Sequence, residues 1–209
     1  MGTCRVGGWA VATVLVAASA VAASAVAACS GDKAAAPSPP GPSGATSSAG
    51  SGTVTSPSAG QPLDYSGLLI QPGDLGGDFT APQPPVLNPN NSAGVAQLFV
   101  NADNSRRIGD TILIVADPAA AVAGVDNSKA NYASKVTGTW QPVDVGSNGA
   151  MISGIAKDNS QAITVLLFTE GKALVNLEFD STPTDPIDAG VAADIGRKQD
   201  AAIRNGLPR

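Results

Sequence analysis

Ile112-Leu113-Ile114-Val115-Ala116-Asp117-Pro118-Ala119-Ala120-Ala121 passes from one periodicity to another within ten residues. Its first four side chains are aliphatic without a polar break, which predicts a strand covered on both faces. Asp117-Pro118 then opens a helix. The Asp carboxylate can accept from free amides as an N-cap, and Pro suits the first helical position because its missing N–H costs nothing there. Val122, Val125, Tyr132 and Val136 fall roughly on one stripe of that helix, which Gly124 and Asn127 weaken. Upstream, 95–102 reads as a strand with Ala96, Leu98 and Val100 on one face and Gln97 and Asn101 on the other, and 108–116 as the next.

Downstream, 140–145, 150–156, 162–169 and 173–179 read as strands, the last two joined by a tight turn at Glu170-Gly171. In the final strand Val175, Leu177 and Phe179 alternate with Asn176 and Glu178, so one face is expected to be wet. Asp185-Pro186 repeats the helix-opening pair. Ile187, Val191, Ile195 and Ile203 supply the apolar stripe, and Asn205-Gly206 before Pro208 the stop. Two strands, a helix, about four strands and a helix, with short turns between consecutive strands, predict an α+β fold, an antiparallel β-sheet flanked by two helices.

Composition narrows the chemistry. The 209 residues carry 17 acids, 12 bases and no histidine, a net charge of -5 without any basic run, so nucleic acid is not an expected partner. The two cysteines, Cys4 and Cys29, both precede residue 30. Downstream there is neither thiol nor imidazole, which excludes Ser-His-Asp and Cys-His catalysis, Cys/His zinc sites and a disulfide framework.

The start of the chain points to export. Arg5 is the only charge before Asp32, and the Ala/Val-rich segment 9–28 lacks the Leu, Ile and Phe that a spanning helix prefers. A short basic start, an apolar middle and small residues at the end suit a secretory signal. It closes with Val26-Ala27-Ala28-Cys29, which resembles the bacterial lipobox: an apolar residue, two small ones, then a cysteine that receives palmitate-type acyl chains and becomes the new N-terminus. That resemblance implies lipidation at Cys29. The expected organisation is a lipoprotein signal peptide at 1–28, the lipidated Cys29 with a disordered Ser/Gly/Pro/Ala-rich tether at 29–63, and the folded domain at 64–209. Such a tether cannot bury enough apolar surface to offset its ordering entropy, and its r.m.s. reach is about 30 Å. Thr46, Thr53 and Thr55 are candidate O-glycosylation acceptors within it.

The lipobox, the tether, the 112–121 junction, the hairpin at Glu170-Gly171 and a closing helix over 186–205 together resemble the mycobacterial and actinobacterial LpqN/LpqT-type secreted lipoproteins. Their domain is of Mog1/PsbP-like shape, an antiparallel sheet with flanking helices. The resemblance covers roughly 64–207 and brings no shared catalytic residues. It implies action through binding.

GxSxG, SxxK, P-loop, GxGxxG and EF-hand signatures are absent. Glu170, Glu178 and the Asp residues could in principle pair across a cleft, but Glu178 is read as facing water, Glu170 as a turn residue, and Asp117 and Asp185 as caps. Asp74, Asp78 and Asp110 are the candidates for a calcium site, without ligand spacing to support one. Trp140 and Tyr132 are read as core, or as the lining of an apolar pocket. No catalytic residue, metal site or cofactor is assigned. The expected function is that of a non-enzymatic cell-envelope lipoprotein on the outer face of the cell membrane. Its domain would bind an envelope protein or act as an apolar glycolipid carrier, with a carboxylate-based hydrolase as the remaining alternative.

Overall fold

A computed structural model describes residues 63–207. The expected signal peptide, Cys29 and the tether up to residue 62 lie outside the described residues, as do the three tether threonines.

The ordered elements are β1 (Val86–Leu87), β2 (Gly94–Val100), β3 (Arg107–Ile114), α1 (Pro118–Ala133), β4 (Val136–Thr137), β5 (Gln141–Pro142), β6 (Ser147–Ala156), β7 (Ala162–Glu170), β8 (Ala173–Ser181) and α2 (Ala189–Gly206). The strands form one antiparallel sheet in the order β1-β2-β3-β8-β7-β6-β4, with β5 also paired to β6. This is the α+β architecture expected from the sequence, a sheet with a helix on each face.

The 112–121 junction determines which face α1 takes. β3 lies beside β8, whereas β4, the next strand in the chain, lies at the far edge beyond β7 and β6. The connection must cross the sheet, and α1 crosses it, packing on β7, β8 and β4. Asp117 caps the helix as expected, accepting from the Ala120 amide at 2.8 Å. Ala121, Val125 and Tyr132 meet Ile152, Ile163, Val165, Leu167 and Leu174 to form the smaller core. Val122, placed on the stripe by the sequence, is instead exposed.

α2 packs on β7 and β8 from the opposite side. Its start differs from expectation. Asp188, not Asp185, is the N-cap, accepting from the Gly190 and Val191 amides at 2.8 and 3.3 Å, while Asp185 pairs with Arg106 at 2.7 Å on the surface. Both aspartates are acceptable caps, but Asp188 stands one turn before the first buried helical residues, Ala192 and Ala193, and packing decides between the two. Gly196 brings the helix close to the sheet: a Cβ there would lie 2.3 Å from the Leu166 side chain. Val191 turns to solvent, and Gln199 joins the buried side with Ile195 and Ile203.

β7 carries helices on both faces, and its first eight residues are all buried. With β8 it is covered on both sides; β3, expected there from its apolar run, keeps Gly109, Thr111 and Leu113 only half-buried. The expected strand 140–145 shrinks to Gln141–Pro142 because Pro142 lacks a ladder donor. On β2 the expected faces are reversed: Val95, Gln97 and Phe99 point into the larger core, whereas Ala96, Leu98 and Val100 are half-buried.

The segment before β1 completes that larger core. Leu68, Leu69, Ile70 and Leu75 are buried with Val95, Phe99, Ile108, Ile112 and Ile203. Gln199, fully buried, holds the segment to α2: its Oε1 accepts from the Ile70 amide at 3.1 Å, and its Nε2 donates to the Leu68 carbonyl at 2.7 Å. Gln199→Leu keeps the volume but leaves a buried N–H and a buried C=O without partners. A loss of about 2–4 kcal/mol is expected in urea unfolding, and a loss under about 0.5 kcal/mol would mean that water replaces both bonds.

Candidate functional site

Three segments distant in sequence meet at one end of the sheet. The β3–α1 junction brings Ala116, Asp117 and Pro118; the β7–β8 turn brings Glu170, Gly171 and Lys172; the end of α2 brings Ile203, Arg204 and Leu207. Between them lies a groove of about 490 Å³, open to solvent and more apolar than polar in its lining. That volume falls in the range of small-ligand sites.

The turn that forms one wall is a two-residue hairpin, Gly171-Lys172, closed by the Glu170↔Ala173 pair. Gly171 has φ 55, a left-handed conformation that glycine adopts without strain. The wall also ties to the junction, since the Val115 amide donates to the Lys172 carbonyl at 3.0 Å. Fully buried Ile203 forms part of the floor.

The rim carries both charges. Arg204 Nε donates to Glu170 Oε2 at 3.2 Å, and its guanidinium reaches Asp200 Oδ2, one turn earlier, at 2.8 Å. The second Asp200 oxygen is buried without a hydrogen-bond partner. Burial raises the Asp200 pKa above the ordinary carboxylate value, Arg204 opposes the shift, and Glu170 reinforces it. Arg204 is half exposed, so these pairs orient the rim more than they stabilise the fold. The groove can receive an apolar group on Ala116, Pro118 and Leu207 and present mixed charge around it.

The second polar cluster lies under α1. Tyr132 Oη donates to the Glu178 carboxylate and accepts from Asn176 Nδ2 at 2.9 Å, while Gln161 Nε2 donates to Asp180 Oδ1 at 3.0 Å. Trp140 meets the Tyr132 ring edge to face at 6.4 Å, and Lys135 Nζ sits 5.3 Å from the same ring centre. Glu178 is therefore not on a wet face: α1 crosses above it and the carboxylate anchors the helix through Tyr132. Burial, and then the Glu178 charge, push the Tyr132 hydroxyl pKa up. Asp180 is pushed up to about 7, by burial first and the Glu178 charge second, with Arg107 opposing. Glu178 and Asp180 share one face of β8 about 7 Å apart along the strand, but each is engaged by a donor that also fixes the fold. Their geometry is that of a helix anchor.

The calcium candidates are not brought together. Asp74 Oδ2 accepts from the Gln71 amide at 2.9 Å, Asp78 Oδ2 accepts from the Ala102 amide at 3.1 Å, and Asp110 is fully buried in the sheet. Among the described residues no three His, Cys, Asp or Glu side chains are grouped to hold a metal ion. At Asp110, named as a calcium candidate, what the sequence reading missed is the burial. Its signal was present: Ile108, Asp110, Ile112 and Ile114 alternate, so the acid stands in line with three isoleucines on the core face. The groove left no such signal, because no local pattern encodes the meeting of three separated segments.

No protein family matches the sequence, and no curated protein matches it. Among solved structures, the extracellular domain of PknH from Mycobacterium tuberculosis is similar, with 11% sequence identity and a TM-score of 0.45. The likeness covers 68% of this chain and 98% of that one.

Proposed function

We propose that this chain is a lipid-anchored cell-envelope protein whose α+β domain acts as a non-enzymatic binding module on the outer face of the membrane, in the manner of the LpqN/LpqT-type lipoproteins that it resembles. The observation that carries the reading is the leader ending in Val26-Ala27-Ala28-Cys29, followed by a segment without charge from Ala34 to Leu63. Two or three acyl chains, each CH₂ contributing about 0.8 kcal/mol on burial, anchor a protein stably where a single chain does not. A domain without thiol or imidazole suits binding better than nucleophilic catalysis.

Cys29→Ser tests the anchor. The wild-type protein is expected in the detergent phase after phase separation, and the variant in the aqueous phase or retained as uncleaved precursor; a variant that is processed and still partitions with detergent refutes lipidation at Cys29.

The groove supports a more specific second reading, carriage of an apolar glycolipid, because Ala116, Pro118 and Leu207 give it an apolar lining beside charged Arg204 and Lys172. At about 490 Å³ and open to solvent, it would cover only part of such a molecule. Native purification, organic extraction and mass spectrometry should then return a bound acyl species. An empty domain leaves an envelope protein as the partner.

A further inference from the structure

α2 rests on β7 and β8, so another part of the chain must cover the same face of β2 and β3. Val95, Gln97 and Phe99 on β2 and Ile108, Asp110 and Ile112 on β3 are nevertheless all buried. The cover is the strap formed by residues 66–85. Thr80 and Val100 exchange backbone hydrogen bonds at 2.8 and 2.9 Å, and Gln97 Nε2 donates to the Gln83 carbonyl at 2.9 Å. Gln199 and Lys198 hold the strap's other end, through Ile70 and Leu68 and through the Asp74 carbonyl.

Asp110 lies in the middle of the covered surface. It is fully buried, and neither carboxyl oxygen has a hydrogen-bond partner. Its register partners are Gln97 on β2 and Leu177 on β8. Gln97 spends its amide on the Gln83 and Leu98 carbonyls. The charged groups on the surrounding elements are committed elsewhere: Asp74 to the Gln71 amide, Asp78 to the Ala102 amide, Lys198 to the strap backbone, Asp200 to Arg204, Asp194 to Arg197, and Arg106 to Asp185. An ionised carboxylate there would be an unpaired charge in an apolar layer. Burial alone moves its pKa up to about 8.

We propose that Asp110 makes the strap a latch that opens as pH rises: the ionised carboxylate displaces residues 66–85 from β2 and β3 and bares Val95, Phe99 and Ile108, while β6, β7 and β8 remain paired. The weak point is the strap because scattered bonds hold it, whereas continuous ladders hold the strands. The sign follows from linkage. The closed state keeps the Asp110 proton up to about pH 8, the open state loses it near the ordinary value of about 4, and so opening becomes easier as pH rises between them.

Hydrogen exchange on the full chain in mild detergent tests this between pH 5 and pH 8, after intrinsic exchange rates are divided out. Protection of the Ile70, Thr80 and Val100 amides is expected to fall by up to about tenfold per pH unit, and to stay below that of the β7 and β8 amides at every pH. Asp110→Asn, or Asp110→Leu if the amide is not tolerated, should make the strap protection flat. Three results would overturn the latch: unchanged strap protection in the wild type, the same fall in either variant, or strap protection equal to that of β7 and β8 at every pH.

Discussion

Stability is expected to fall as pH rises from about 4 to 7, and Asp180→Asn should reduce that slope by about 1.4 kcal/mol per pH unit. Asp180 is held at about 7 in the folded domain by burial and by Glu178, against an ordinary value near 4 when unfolded. Between the two values the folded state holds a proton that the unfolded state has released. Its stabilisation is complete below the unfolded value and is lost by the time pH passes the folded one. By pH 8 the variant should be more stable than the wild type by about 2–4 kcal/mol, a large part of the usual 5–15 kcal/mol of a domain. Asn keeps an oxygen for Gln161, so the hydrogen bond survives. Asp110 adds a slope of the same sign while the strap is closed, and the comparison between variant and wild type removes it. Urea midpoints at pH 5, 6, 7 and 8 decide the matter; parallel slopes in the two proteins would show that Asp180 is ionised throughout.

Phe168→Ala should cost about 3–5 kcal/mol, with a fall in Tm of roughly 6–20 °C. Phe168 is fully buried on β7, beside Val175 on β8, in the core that α2 closes. It packs against Gly146, where an added Cβ would stand 2.6 Å from its ring. The cavity cannot collapse easily, because β6 and β8 hold β7 from both sides. A calorimetric loss below about 1 kcal/mol would mean that α2 settles into the gap and that the sheet does not set its position.

The hairpins, the Asp117-Pro118 helix start and the closing helix were legible because each is a local pattern: alternation, a cap, a turn glycine. What failed was the choice between local options that tertiary contacts decide. Asp185 and Asp188 are both good caps, and the first buried turn of α2 selected Asp188. Glu178 alternates with apolar neighbours as a wet-face residue would, yet the crossover from β3 to β4 places α1 above it. Gln97 alternates with apolar neighbours in the same way, yet it is buried and donates to the Gln83 carbonyl of the strap. The candidate groove was illegible in a stronger sense. Its walls come from residues near 117, 171 and 204, and nothing in one sequence says that these ends meet.

Intact-mass spectrometry of the membrane-purified protein tests lipidation at Cys29 most directly. The expected result is a chain beginning at Cys29 whose excess mass corresponds to two or three acyl chains on that residue. A chain that still begins at Met1, or one that begins near residue 29 with no acyl mass, would contradict it.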